Sequence, residues 1–198
     1  MKVIGIVNNY DIDNSGIKSF PDMFLLADSS LLKDGKPFFL PDFDSEFKVY
    51  PSLVVRVNRL GKNIAPRFAN RYYDAVTIGL NVRAESKLKE MVQNKIPWAS
   101  AVAFDGSAIM GEFESKENID FRNLKFEICK NDKEIYVWEY AKLLTNIDEL
   151  ISQISKRFTL KIGDYIYIGL SGDGFDIKID DVIIGKICEK EMLNFKIK

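Results

Sequence analysis

Leu53-Val54-Val55-Arg56-Val57-Asn58-Arg59-Leu60-Gly61-Lys62-Asn63-Ile64, with Arg67-Phe68-Ala69-Asn70-Arg71-Tyr72-Tyr73-Asp74-Ala75-Val76 close behind it, is the stretch on which the fold turns. Leu53–Val57 is rich in β-branched residues and predicts a strand. Asn58–Lys62 breaks it. Over Ala65–Tyr73, Phe68, Ala69 and Tyr72 recur at helical spacing. Asp74–Val82 alternates apolar and small residues and predicts a second strand. Ser86–Lys95 then predicts a charged helix with Leu88, Met91 and Val92 on one side.

Outward from this centre, strand signals dominate. Met1–Val7 holds a short apolar strand that runs into a polar loop, Asn8–Gly16. Apolar patches at Met23–Leu26 and Pro37–Leu40 flank a turn at Lys33-Asp34-Gly35-Lys36. Leu124–Cys129 and Ile135–Trp138 flank Asn131-Asp132, a hairpin signal. Asn146 followed by Glu149 reads as an N-cap and its N3 partner, opening a helix with Leu150, Ile151 and Ile154 inward. Leu160–Leu170 predicts a strand around Gly163-Asp164. Phe175–Ile179, Val182–Ile187 and Leu193–Ile197 predict three more. The pattern is that of an α+β domain with mixed sheets.

The chain has 198 residues, 46% of them hydrophobic, enough for one sizeable core and too few for two independent enzyme domains. We therefore expect a single domain over 1–198, with 1–22 as an N-terminal strand and lid-like loop. The formal net charge is −1. With no basic block, nucleic acid and anionic membranes are not expected partners. No apolar run reaches the ~20 residues of a membrane span, and the opening apolar stretch is too short for a signal peptide. Cys129 and Cys188, each preceded by isoleucine, read as buried thiols of a cytoplasmic protein. The count of His is zero. That excludes His-ligated metals, Ser–His and Cys–His dyads, and imidazole bases.

Short motifs carry little. Asp11, Asp13, Ser15, Gly16, Ser19 and Asp22 fall at calcium-loop positions, but a strand precedes them and the last is Asp rather than a bidentate Glu. Gly169-Leu170-Ser171-Gly172-Asp173-Gly174 precedes no helix and reads as a tight turn. Ser107 lies in no nucleophile elbow and has no histidine base.

Four ordered blocks together are more specific. They are Leu53–Ile64, Arg67–Val76, Pro97-Trp98 leading to Phe104-Asp105, and Phe158-Thr159-Leu160-Lys161-Ile162-Gly163-Asp164-Tyr165-Ile166-Tyr167 running on to Gly169. Their order and spacing resemble the short single-domain members of the fumarylacetoacetate hydrolase family over nearly the whole chain. The resemblance implies a mixed β-roll or β-sandwich with small flanking helices, and a homodimer. It also implies hydrolysis, decarboxylation or tautomerisation of keto-acids with Mg²⁺ or Mn²⁺. The family holds that ion with a Glu-x-Glu pair on one strand and an Asp on another. Residues i and i+2 of a strand face one side, so both glutamates can reach one ion.

The resemblance departs from the family at those positions. The Glu-x-Glu places fall on Tyr50 and Ser52, and the Asp on Asn81. The pocket Lys falls on Val102, and the Thr-Ala-Arg-Asp run reads Arg83-Ala84-Glu85-Ser86. The Thr-Gly-Thr-Pro turn reads Ile168-Gly169-Leu170-Ser171. A Lys-Pro reads Leu26-Ala27, and Asp13 stands where the lid carries its His. Tyr50, Ser52, Asn81, Arg83, Val102 and Leu170 are therefore expected to line a substrate-type pocket, with no metal ligand, no Mg or Mn cofactor and no catalytic residue. If 81–85 is extended, Asn81, Arg83 and Glu85 share a face. Arg83 then either captures a carboxylate or pairs with Glu85 and closes the hole.

The expected function is that of a non-catalytic or altered family member, a binder of a small dicarboxylate or keto-acid or a structural partner. The alternative is an active hydrolase or isomerase of β-keto or enol dicarboxylic acids. It would use a relocated metal site among Asp11, Asp13, Asp44 and Glu46, or a metal-free mechanism with Arg83 as electrophile and Tyr50 as acid/base.

Overall fold

The structure, a computed structural model, describes residues 1–11, 21–170, 172 and 174–198. In chain order the strands are β1 (Val3–Val7), β2 (Asp22–Leu26), β3 (Leu31–Leu32), β4 (Phe47–Val57), β5 (Tyr73–Ala84), β6 (Ala108–Met110), β7 (Glu114–Ser115), β8 (Lys125–Lys130), β9 (Lys133–Glu139), β10 (Tyr165–Tyr167), β11 (Phe175–Asp176), β12 (Val182–Ile187) and β13 (Lys190–Lys196). The helices are α1 (Pro66–Ala69), α2 (Glu85–Gln93), α3 (Ala99–Val102) and α4 (Ile147–Arg157).

Among the described residues nine strands form one mixed sheet, ordered β2-β1-β10-β4-β5-β6-β3 with β11 added to β4 and β7 to β5. The pairs β1–β10 and β3–β6 are parallel. A second, antiparallel sheet runs β13-β12-β8-β9. The architecture is α+β, a curled mixed sheet with few helices. One face of the large sheet, through Leu53, Val55, Ile78 and Leu80, packs with Phe126, Ile128, Ile183 and Leu193 of the second sheet into the main core. Helix α4 adds Leu150, Ile151 and Ile154 to it. The opposite face carries a smaller cluster, Val3, Leu26, Val54, Ala108, Met110, Tyr165, Tyr167 and Leu170. The candidate site lies on this second face.

Local signals explain several elements. Asn131 and Asp132 have φ of 51° and 64°, and Lys130 pairs with Lys133, so the hairpin turns on two left-handed residues. The Asn146 side chain accepts the Glu149 N–H at 2.9 Å and caps α4.

Other expectations need correction. The helix over Ala65–Tyr73 is one turn, Pro66–Ala69, because Tyr73 is claimed by β5, where it pairs with Val57. The strand over Leu160–Leu170 shrinks to Tyr165–Tyr167. Gly163 has φ of +84°, and buried Asp164 accepts the N–H groups of Lys2 and Lys161, which makes this a turn. Phe175–Ile179 pairs only at Phe175–Asp176. Val92 is 58% exposed, since α2 packs through Leu88 and Met91 alone. Cys129 is half-buried and Cys188 exposed. Ile187 points inward, and Cys188 and Glu189 form the β12–β13 turn with φ of 48° and 67°.

Candidate functional site

The long antiparallel pair β4–β5 sets the geometry. Tyr50 lies opposite Asn81, Ser52 opposite Gly79, and Lys48 opposite Arg83. Residues two apart on a strand, and residues directly opposite across a ladder, share a face. Tyr50, Ser52, Asn81 and Arg83 therefore project from one side of the sheet. Gly79 lets two side chains close over the ladder there: a Cβ on it would stand 2.2 Å from Val54 Cγ2 and 2.5 Å from the Tyr167 ring.

Asn81 is fully buried and makes three hydrogen bonds. Its Nδ2 donates to the carbonyls of Val102 (2.9 Å) and Ser107 (3.2 Å), and its Oδ1 accepts from Arg83 Nε at 3.0 Å. The Arg83 guanidinium carbon lies 3.9 Å from the centroid of the Tyr50 ring. Such stacking stabilises a cation through the ring quadrupole. Arg83 Nη2 is buried and has no hydrogen-bond partner. Burial lowers the Arg83 pKa, and the nearby Tyr50 and Glu85 oppose that shift. Tyr50 donates its hydroxyl to Glu85 Oε1 at 2.7 Å, and Glu85 is buried at the first position of α2.

Glu85 is thus reached through Tyr50 and lies on a helix rather than on an extended face shared with Asn81 and Arg83. Among the described residues no direct Arg83–Glu85 ion pair forms. The tyrosine stands between them, with the cation on its ring and the carboxylate on its hydroxyl.

Of the six expected pocket residues, Tyr50, Asn81, Arg83 and the Val102 carbonyl come together. The Val102 side chain is buried in the main core. Ser52 Oγ donates to the Leu53 carbonyl (3.0 Å) and accepts the Gly169 N–H (3.0 Å). Leu170 packs in the smaller cluster, its N–H on the Ile6 carbonyl at 3.0 Å. Sequence reading missed two contributors. Ser107 gives its carbonyl to Asn81, and its buried Oγ has no partner. Gly174 faces Tyr50 so closely that a Cβ would stand 2.8 Å from the ring. A glycine near the C-terminal strands was the one available signal for the latter.

The proposed alternative metal ligands have other work. Asp44 accepts the backbone N–H of Lys87 in α2 at 2.9 Å. Glu46 accepts the Glu85 N–H on its carbonyl (2.8 Å) and the Lys89 ammonium on its carboxylate (3.3 Å). Asp13 and most of the Asp11–Asp22 loop lie outside the described residues, as do Ser171 and Asp173 of the glycine-rich turn. Asn9 and Tyr10, read as part of a lid, are fixed to the body. The Asn9 amide bonds Thr145 and the Ile168 carbonyl, and Tyr10 stacks on Trp138 with centroids 5.4 Å apart. Among the described residues no group of three or more His, Cys, Asp or Glu is placed to hold a metal ion, and no helix is long and apolar enough to cross a membrane.

Known structures share this architecture from end to end. A Yersinia pestis CO92 protein assigned to the fumarylacetoacetate hydrolase family superimposes with a TM-score of 0.90 at 21% identity, covering 100% of this chain and 92% of that one. Fumarylpyruvate hydrolase from Pseudomonas aeruginosa, in complex with Mn²⁺ and pyruvate, gives a TM-score of 0.89 at 17% identity over 100% and 89% of the two chains. The fold class is thus the one these two structures share. The sequence profile described as fumarylacetoacetate (FAA) hydrolase C-terminal matches residues 5–190, and the chain belongs to the fumarylacetoacetate hydrolase family. Among similar sequences is the mitochondrial oxaloacetate tautomerase FAHD1 of Bos taurus, 25% identical over 93% of this chain and 84% of the relative. The mitochondrial oxaloacetate tautomerase fahd-1 of Caenorhabditis elegans is 24% identical over 100% and 94%.

Proposed function

We propose that this chain is an altered family member that binds a small dicarboxylic or 2-oxo acid through Arg83 without a divalent metal. The observation that carries the reading is the buried Arg83 Nη2 with no partner. An unmet donor on a buried cation is costly, and a carboxylate oxygen would meet it with a charge-assisted bond. The nearby phenol and amide hold the guanidinium in place.

The donor set does not fit Mg²⁺. That ion requires oxygen ligands, usually carboxylates. Here the Asn81 oxygen accepts from Arg83, the Tyr50 hydroxyl donates to Glu85, Ser52 Oγ is shared by two backbone groups, and Glu85 is the single carboxylate of the cluster. A divalent ion at roughly 5 Å from the guanidinium would meet about 6–7 kcal/mol of repulsion at an effective dielectric near 20.

A second reading rests on the Tyr50–Glu85 bond. Relatives named as oxaloacetate tautomerases move a proton between carbon and oxygen, which acid–base groups can do unaided. Tyr50 would take a proton from the acid's carbon as its own passes to Glu85, Arg83 would hold the enolate formed, and the relay in reverse would return the proton to the enolate oxygen. The cytoplasm and a homodimer remain the compartment and assembly we propose.

Thermal denaturation with oxaloacetate or malonate tests the first reading, since a ligand of the native state raises Tm by mass action. Malonate should raise the Tm of the wild type in EDTA and leave Arg83→Gln unchanged. No shift in wild type, or equal shifts in both, would refute it. Oxaloacetate enolisation that persists in EDTA and vanishes in Tyr50→Phe would favour the second reading. Its absence in the wild type would remove it.

A further inference from the structure

Away from this cluster, a cavity of about 330 Å³ opens beside the start of α4. Three aromatic rings line it, Tyr73, Phe121 and Tyr140, together with Asp148 from the first turn of the helix. The Tyr73 and Phe121 rings are 6.5 Å apart and inclined at 84°, and Phe121 and Tyr140 are 5.3 Å apart at 58°. The wall therefore presents ring surfaces in several directions. Asp148 Oδ1 is buried and bonded to no donor. A buried carboxylate oxygen without a donor is unfavourable, and a cation in the adjoining space would relieve it.

The chemistry of the wall selects the sign of the ligand. The Glu149 N–H is taken by the Asn146 side chain. Two carboxylates, Asp148 and Glu149, stand in the same turn. An anion would find that amide occupied and like charge beside it. Ring faces and a counter-charge suit an ammonium group. The cluster already attracts one: Lys116 Nζ lies 4.6 Å from the Tyr73 centroid, with its proton donated to the Asn70 carbonyl. Among the described residues Lys116 makes no ion pair with Asp148, although its charge acts on that carboxylate and opposes the rise that burial causes in its pKa.

We propose that this cavity binds a small free organic ammonium ion, its alkyl groups against the three rings and its charge opposite Asp148. The site is independent of the acid-binding reading.

Tetramethylammonium chloride is the probe, titrated into the full chain and followed by Tm and by shifts of aromatic NMR signals. Sodium chloride at equal ionic strength and the neutral analogue 3,3-dimethylbutanol are the controls. Saturable binding of tetramethylammonium, absent for both controls, is expected. Asp148→Asn, which keeps the side-chain size, and Phe121→Leu, which removes one ring, should each weaken it at least tenfold while circular dichroism stays unchanged. An effect no larger than that of sodium chloride, or undiminished binding in folded Asp148→Asn, would overturn the proposal. Choline and a trimethyllysine peptide separate the two sources of such a group. Choline binding at least as tightly supports a free ion, and tighter binding of the peptide overturns it.

Discussion

Asp44 accepts three backbone N–H groups, from Ser45, Glu46 and Lys87, and so caps α2 from a neighbouring loop. Burial raises its pKa, but these bonds and one from Ser86 outweigh it, and the net shift is downward. A carboxyl with a depressed folded-state pKa contributes stability above its unfolded pKa and loses it as pH falls through the folded one. Asp44→Ala should therefore cost about 1 kcal/mol near neutral pH, with a gap to wild type that closes in acid. Urea titrations across pH would read this, and a gap constant with pH would count against it. Asn9 is buried with three hydrogen bonds to Thr145 and Ile168, so Asn9→Ala should cost on the order of 3 kcal/mol. Chemical denaturation measures it. The two caps differ in legibility. Asn146 and its partner Glu149 are three residues apart and could be read from sequence, whereas Asp44 and Lys87 are separated by 43 positions. The same limit hid the Tyr50 bridge: Arg83 and Glu85 are adjacent in pattern, but the ring between them comes from another strand.

At the scale of elements, the β4–β5 ladder determines most of the site. Its strands were legible because β-branched and alternating residues mark them. Their true lengths, to Phe47 and Ala84, were not, since tertiary pairing extends them past the local signal. The reverse holds for Leu160–Leu170, where Asp164 turns the chain and only Tyr165–Tyr167 pairs. Gly79 lets Tyr167 and Val54 close over the ladder. Gly79→Ala should destabilise by roughly 1–3 kcal/mol through overpacking, read as a fall in Tm. A neutral result would mean that this face is looser than described.

Across the whole molecule, the two faces of the large sheet divide the labour. One face is buried against the second sheet and gives the chain its family fold. The other holds a short network in which the Asn81 amide makes three hydrogen bonds and one guanidinium nitrogen is left over. The scaffold blocks were legible because packing and turn chemistry leave broad patterns. The site was legible only as residue types at the positions the resemblance marks, since sequence does not show how those side chains bond. The central claim is that a fixed cation stands in this site in place of a recruited one. Titration of the full chain with Mn²⁺, followed by the electron paramagnetic resonance signal of the free ion, tests it most directly. The account predicts that the signal rises as in buffer alone, with or without malonate. Stoichiometric loss of that signal, abolished by Tyr50→Phe or Asn81→Ala, would contradict it.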